Sequence, residues 1–160
     1  MSSNAEKALE IFKASIGKED GVSEWHTVDQ TQINLFADAT LDRQFIHVDP
    51  EMAAQLSPYK VTIAHGFLTL SLVPYLGAGI KASNPAAYEG FMMAVNYGLD
   101  RVRFPNPVKV NSRVRARREL VGVDLVSPNT LQIKQKVTIE IDGEPKPGCV
   151  AETLARLIYG

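Results

Sequence analysis

The sequence predicts an α+β fold, a curved antiparallel sheet folded around one apolar helix, and two observations carry that prediction. "FMMAVNYGLDRVRF", "NSRVRARRELVGVDLV", "NTLQIKQKVTIEI" and "CVAETLARLIY" alternate with period two and are rich in β-branched residues, the pattern of strands with one buried face. Ahead of them lies "IAHGFLTLSLVPYLGAGI", whose Phe67, Leu68, Leu70, Leu72, Val73, Tyr75 and Leu76 fall on every side of a helical wheel. A helix that is apolar all round has no solvent face, so something must wrap it.

The elements follow in order. Residues 4 to 16 place Ala8, Leu9, Ile11, Phe12 and Ile16 at helical spacing, and Gly17 ends the run. A second helix is expected near Thr27, whose hydroxyl can cap the first turn while Gln30 reaches back; Ile33, Leu35, Phe36 and Ala39 supply its buried side. Asp49-Pro50 starts a third, short helix with Asp as N-cap and Pro at the first helical position. Pro128-Asn129 and Asp142-Gly143 mark turns between long consecutive strands, which favours antiparallel neighbours.

A chain of 160 residues fits one domain, taken as 1–160 with residues 1–20 as an N-terminal helical extension; a domain near this size buries roughly 70% of its unfolded surface. Net charge is −1, which provides no broad basic field for nucleic acid. Cys149 is the only cysteine, which excludes an internal disulfide and a cysteine-built metal site and points to a reducing, cytoplasmic setting. "MSSNAEKALEIFKASIG" has no secretory hydrophobic core. The apolar stretch Ile63 to Ile80 falls short of the about 20 residues a membrane span needs.

The chemistry gathers in "ATLDRQFIHVDP", residues 39–50. Asp42 and His47 are five apart, whereas neighbours on a helix face are three or four apart. They can converge only if the backbone turns between them, which places a site on the loop leaving the second helix. A carboxylate accepts hydrogen bonds from water, and an imidazole accepts or donates by tautomer. His65-Gly66 opens the apolar helix, where the first N–H groups lack intrahelical partners and lie at the positive end of the dipole.

Three blocks, "FADATLDRQFIHVDP", "TIAHGFLTLSLVP" and "NYGLDRVRFPNPVKVNSRVRA", together resemble the MaoC-like dehydratase family of hot-dog-fold proteins. The resemblance covers nearly all of the chain after residue 20 and is nearest to (R)-specific enoyl-CoA hydratases of the nodulation-protein-N-like branch. It implies a homodimer and reversible syn addition of water to a trans-2-enoyl-CoA, or the reverse on a 3-hydroxyacyl-CoA, with no metal or redox cofactor. It also implies Asp42 as principal base, His47 as partner in orienting water and returning a proton, and the Gly66 N–H as oxyanion donor. Gln44 either orients the pair or closes a turn.

His65 is expected to set the start of the helix through a bond and counts among the substrate-binding candidates. Asn96, Tyr97 and Gly98 are expected to line an acyl-pantetheine channel. Arg113, Arg115 and Arg117 alternate on one strand face, solvated by default, with a coenzyme A phosphate contact as the alternative. His26 is expected to be peripheral. Leu41 stands where family members often carry Gly; if positive φ is needed there, Leu strains the loop. Phe45 replaces the usual Pro or Trp, and Pro74 stands where some (R)-hydratases have a serine, with Ser71 one turn earlier. An acyl-CoA thioesterase and a non-catalytic acyl-thioester-binding module are the competing readings.

Overall fold

The computed structural model describes residues 1–160. Six strands form one sheet: β1 (Glu19–Val22), β2 (His26–Val28), β3 (Phe91–Arg103), β4 (Ser112–Ser127), β5 (Thr130–Ile141) and β6 (Cys149–Tyr159). The long strands run in the order β4-β5-β6-β3, all antiparallel, with β1 and β2 both paired to the outer side of β4. The turns at Pro128-Asn129 and Asp142-Gly143 make the β4–β5 and β5–β6 connections; Gly143 takes φ +78, which a glycine adopts without strain. β3 does not follow its neighbour in sequence. It crosses to pair with β6 and is left as an edge strand.

Six helices pack on the concave side or at its rim: α1 (Asn4–Lys13), α2 (Gln30–Thr40), α3 (Phe45–Val48), α4 (Pro50–Leu56), α5 (Gly66–Ser71) and α6 (Val73–Ala78). A 3-10 turn covers Pro85–Tyr88. α1 is opened by a capping box in which Ser3 and Glu6 satisfy each other's backbone N–H groups. The expected cap at Asp49 is present, its Oδ1 accepting from the Met52 N–H at 2.9 Å, with Pro50 inside the first turn.

The expected start of the second helix is corrected. Thr27 lies in β2, paired with Arg113, and the N-cap of α2 is Asp29, which accepts from the Gln32 N–H at 2.8 Å. A three-residue strand pairs with β4 more favourably than Thr27 caps, and Asp serves equally well at an N-cap. The single apolar helix is also corrected. It begins at Gly66 and breaks at Leu72 into α5 and α6, because Pro74 has no N–H for the carbonyl of Leu70. Nor is it fully wrapped. Leu68, Leu72 and Leu76 are buried against the sheet, while Phe67 and Tyr75 remain 68% and 63% exposed.

The inward face of the sheet carries two apolar clusters. Val114, Ala116, Val137, Ile139, Cys149 and Ala151 pack under α5, α6 and Ile33 of α2. Leu120, Val123, Leu131, Ile133, Leu157 and Tyr159 pack under α1, meeting Ala5, Ala8 and Phe12. Strand alternation puts Arg118, Gln135 and Thr153 on that same face between the clusters. Arg118 there is ion-paired with Asp20, both largely shielded from water. This two-cluster sheet around α5 and α6 is the hot-dog arrangement, and no helix is long and apolar enough to cross a membrane.

Candidate active site

α2 ends at Thr40, and the chain then reverses through Leu41, which takes the left-handed conformation at φ 66, ψ 12. The required positive φ is therefore real, and a leucine occupies it. That turn sends Asp42 away from the helix axis, and residues 42–44 lead into α3, where His47 is buried. Gln44 is the N-cap of α3 without a side-chain cap bond; its carbonyl accepts from the N–H groups of His47 and Val48. The turn is closed by the Gln44 backbone, and its side chain makes no cap bond.

Asp42, His47 and His65 meet here, their ligand-type oxygen and nitrogen atoms all within 4.8 Å of one another. They are also the one group in the chain placed to hold a metal ion. Asp42 is exposed while both imidazoles are buried, so the carboxylate forms the solvent side of the cluster. The hydrogen bonds fix both tautomers, since a carbonyl oxygen can only accept. His47 donates its Nδ1–H to the Ile63 carbonyl at 2.7 Å, leaving Nε2 as a lone pair. His65 donates its Nε2–H to the backbone carbonyl of Asp42 at 2.9 Å, leaving Nδ1 as a lone pair that is buried and has no partner. The His47 Nε2 lone pair and the Asp42 carboxylate thus form an acceptor pair suited to a water molecule, while the His65 ring, its Nδ1 enclosed, stands behind them. Burial holds the His47 pKa below its ordinary 6.5, and the adjacent His65 adds to this; the Ile63 carbonyl and the Asp42 carboxylate pull the other way without reversing it.

Sequence reading missed what holds this cluster. Gln30 donates to the His47 carbonyl at 2.7 Å and accepts from the Thr62 hydroxyl at 2.5 Å, and the Ile63 N–H donates to the Ile46 carbonyl at 3.0 Å. Backbone acceptors leave no mark in a sequence; Gln30 carries one only in that it opens α2 facing the loop. Gly66 follows directly as the first residue of α5. Its φ is unexceptional, so it is needed for space: an added Cβ would sit 3.0 Å from the ring of Phe104.

Other candidates lie apart. Asn96, Tyr97 and Gly98 sit on β3, six to eight residues before Phe104, or about 20–26 Å by strand rise. One chain does not bring them to Asp42. Tyr97 instead lies under Arg156, whose guanidinium carbon is 4.0 Å from the centroid of the Tyr97 ring. Arg113 is bound to Asp142, Arg115 to Glu140, and Arg117 to Glu140 and Glu19, so their charges are already neutralised by carboxylates. His26 bonds Gln32 at 2.8 Å and packs edge-on against Tyr75. Cys149 is fully buried, which pushes its thiol up to about 11, far from any nucleophilic role.

Residues 12–141 match the family described as the MaoC like domain. The chain is 48% identical to 3-hydroxyacyl-thioester dehydratase Z of Mycobacterium tuberculosis over 145 residues, 91% of this chain and 92% of that one. It is 49% identical to Nodulation protein N of Rhizobium leguminosarum bv. viciae over 146 residues, 91% of this chain and 88% of that one. Among solved structures, the unliganded R-hydratase PhaJ1 from Pseudomonas aeruginosa shares the fold with a TM-score of 0.65 at 21% identity, covering 91% of this chain and 83% of that one.

Proposed function

The chain belongs to the MaoC-like domain family, and from that premise we propose that it is a hydro-lyase, an (R)-specific 2-enoyl-CoA hydratase and 3-hydroxyacyl-CoA dehydratase. The observation that carries the reading is the convergence of the Asp42 carboxylate with the His47 ring at the opening of α5. In hydration, a water oxygen bonds to the β-carbon of the enoyl thioester. One water proton passes to the Asp42–His47 pair, a proton is returned to the α-carbon, and the negative charge that develops on the thioester oxygen is met by the Gly66 N–H. Dehydration runs the same steps backwards. Asp42 serves as principal base, and His47, neutral and with Nε2 free, orients the water.

Leu41 is the feature that favoured a non-catalytic binding module, on the ground that strain would misplace Asp42. Leu41 does adopt the left-handed conformation, yet Asp42 still reaches His47, which favours turnover. The thioesterase alternative has no contact that recommends it.

A homodimer completes the proposal. β3 is an unpaired edge whose Phe91, Met92, Met93, Val95, Tyr97 and Leu99 are exposed, and Phe67 and Tyr75 are open on α5 and α6. An edge and apolar face of this extent call for cover, and a second copy supplies it. In that arrangement Asn96, Tyr97 and Gly98 line the acyl channel of the other copy. The single domain over residues 1–160 works in a cytoplasmic, reducing setting, its one thiol out of reach.

The test is loss of the enoyl-thioester ultraviolet absorbance on adding crotonyl-CoA. Asp42→Asn and His47→Gln are each expected to lower kcat by roughly 100-fold to 10,000-fold with folding intact. Unchanged rates in both would refute the assignment, and release of free thiol from a saturated acyl-CoA would identify a thioesterase.

A further inference from the structure

The His65 imidazole is 3% exposed, stacked on the ring of His47 with centroids 3.8 Å apart and planes 24° apart, and tilted against Phe36 on its other side. A side chain there only to fill space would be better apolar, because a buried imidazole nitrogen without a partner disfavours the folded state, and Nδ1 has none. The atom that distinguishes His65 from a phenylalanine is Nε2, and Nε2 donates to the carbonyl oxygen of Asp42. That carbonyl follows immediately after Leu41, the residue in a left-handed conformation that leucine resists. One hydrogen bond therefore ties the strained turn to the residue that precedes Gly66.

We propose that His65 is a positioning residue: its Nε2–H latches the backbone of Asp42 to the start of α5, so that the spacing between the carboxylate, the His47 ring and the Gly66 amide is set by a single side chain. His65 is anchored for this role from below, since its own carbonyl accepts from the N–H and the hydroxyl of Thr69. The Asp42 carbonyl has no rival donor in the structure, so the loop from Leu41 to Gln44 depends on His65 for its hold on α5. Its ring also backs His47, which Ile63 and Gln30 hold from the other side. Contact of His65 with substrate is disfavoured by the same facts: the ring is buried and its one proton is engaged.

The proposal rests on the hydratase reading for its kinetic consequence, but not for its structural one. The side-chain amide nitrogen of glutamine can occupy the place of imidazole Nε2, whereas phenylalanine keeps the ring and the stacking and cannot donate. His65→Gln is expected to keep kcat within about threefold of wild type, while His65→Phe loses about 100-fold in kcat, the scale of a roughly 1 Å misplacement of a reacting group, with KM little changed. Equal losses in the two variants, or a loss confined to KM, would overturn the latch. Backbone NMR reads the same geometry without turnover: the amide resonance of Arg43, whose peptide group contains the Asp42 carbonyl, is expected to shift in His65→Phe and to hold in His65→Gln. Shifts of equal size in both variants would end the proposal. If wild type hydrates nothing while the Phe variant alone shifts, the latch stands and the hydratase reading falls.

Discussion

The Nδ1–H of His47 donates to the carbonyl oxygen of Ile63, 2.7 Å away and sixteen residues along the chain. That bond joins the loop after α2 to the segment leading into α5, and it commits the imidazole to presenting an unprotonated Nε2 toward Asp42. The His47 pKa is lowered, first by burial, so the neutral ring persists below the ordinary value.

The pH behaviour follows from the sign of that shift. Below about 6.5 the unfolded chain binds a proton at His47 that the folded chain resists, so the His47 contribution to stability is present above about 6.5 and is lost as pH falls through the folded value. Thermal midpoints measured from about pH 7.5 to about pH 5 should fall more in wild type than in His47→Gln. Parallel curves would show that His47 is not held neutral.

Leu41 is a strained position on the surface. A left-handed leucine costs about 1–2 kcal/mol, and a glycine there would forfeit about 0.5–1 kcal/mol through unfolded-chain entropy. Leu41→Gly should therefore stabilise by about 0.5–1 kcal/mol, raising the melting temperature by roughly 1–4 °C in a chain of this size. A lower melting temperature would mean that the exposed leucine side chain makes contacts in the assembled protein that outweigh its backbone.

Gly66 and Phe104 form a coupled pair. A Cβ at residue 66 meets the Phe104 ring at 3.0 Å, so Gly66→Val should displace the ring or the amide and lower kcat by about tenfold or more. Phe104→Ala in the same chain should restore a substantial part of it. If the second change gives no recovery, the space at Gly66 belongs to something other than Phe104.

Cys149 should be inert. Its thiol is fully buried and raised to about 11, so a disulfide reagent at neutral pH should react only as the protein unfolds, with a rate that tracks denaturant. Rapid modification of the native protein would place the inner ends of β5 and β6 in a looser region than the structure describes.

What was legible in the sequence was local. The Asp49-Pro50 cap, the Asp142-Gly143 turn and the four long alternating strands depend on residues near one another, and each is where the pattern put it. β1 and β2 were not legible. "EDGV" and "HTV" are short and polar, and they are strands only because β4 offers a partner edge. The convergence of Asp42 with His47 followed from helical spacing and a turn, but the atoms holding it there, the Ile63 carbonyl and the Gln30 amide, are contributed through tertiary contacts. The all-apolar helix was read as enclosed. Composition does not say whether the enclosure comes from one chain, and Phe67 and Tyr75 show that here it does not.

Arg118, Gln135 and Thr153 interrupt the oily lining of the sheet midway along its length. Ile139 and Leu131 lie on opposite sides of that stripe, eight residues apart on β5 and so about 26 Å by strand rise. Truncating either to alanine should destabilise by about 2–5 kcal/mol. With charged and polar groups between them and no shared neighbours, the two losses should sum to within about 0.5 kcal/mol in the double variant. The molecule thus keeps two separate reserves of apolar packing, and damage beneath α1 need not be felt around Asp42.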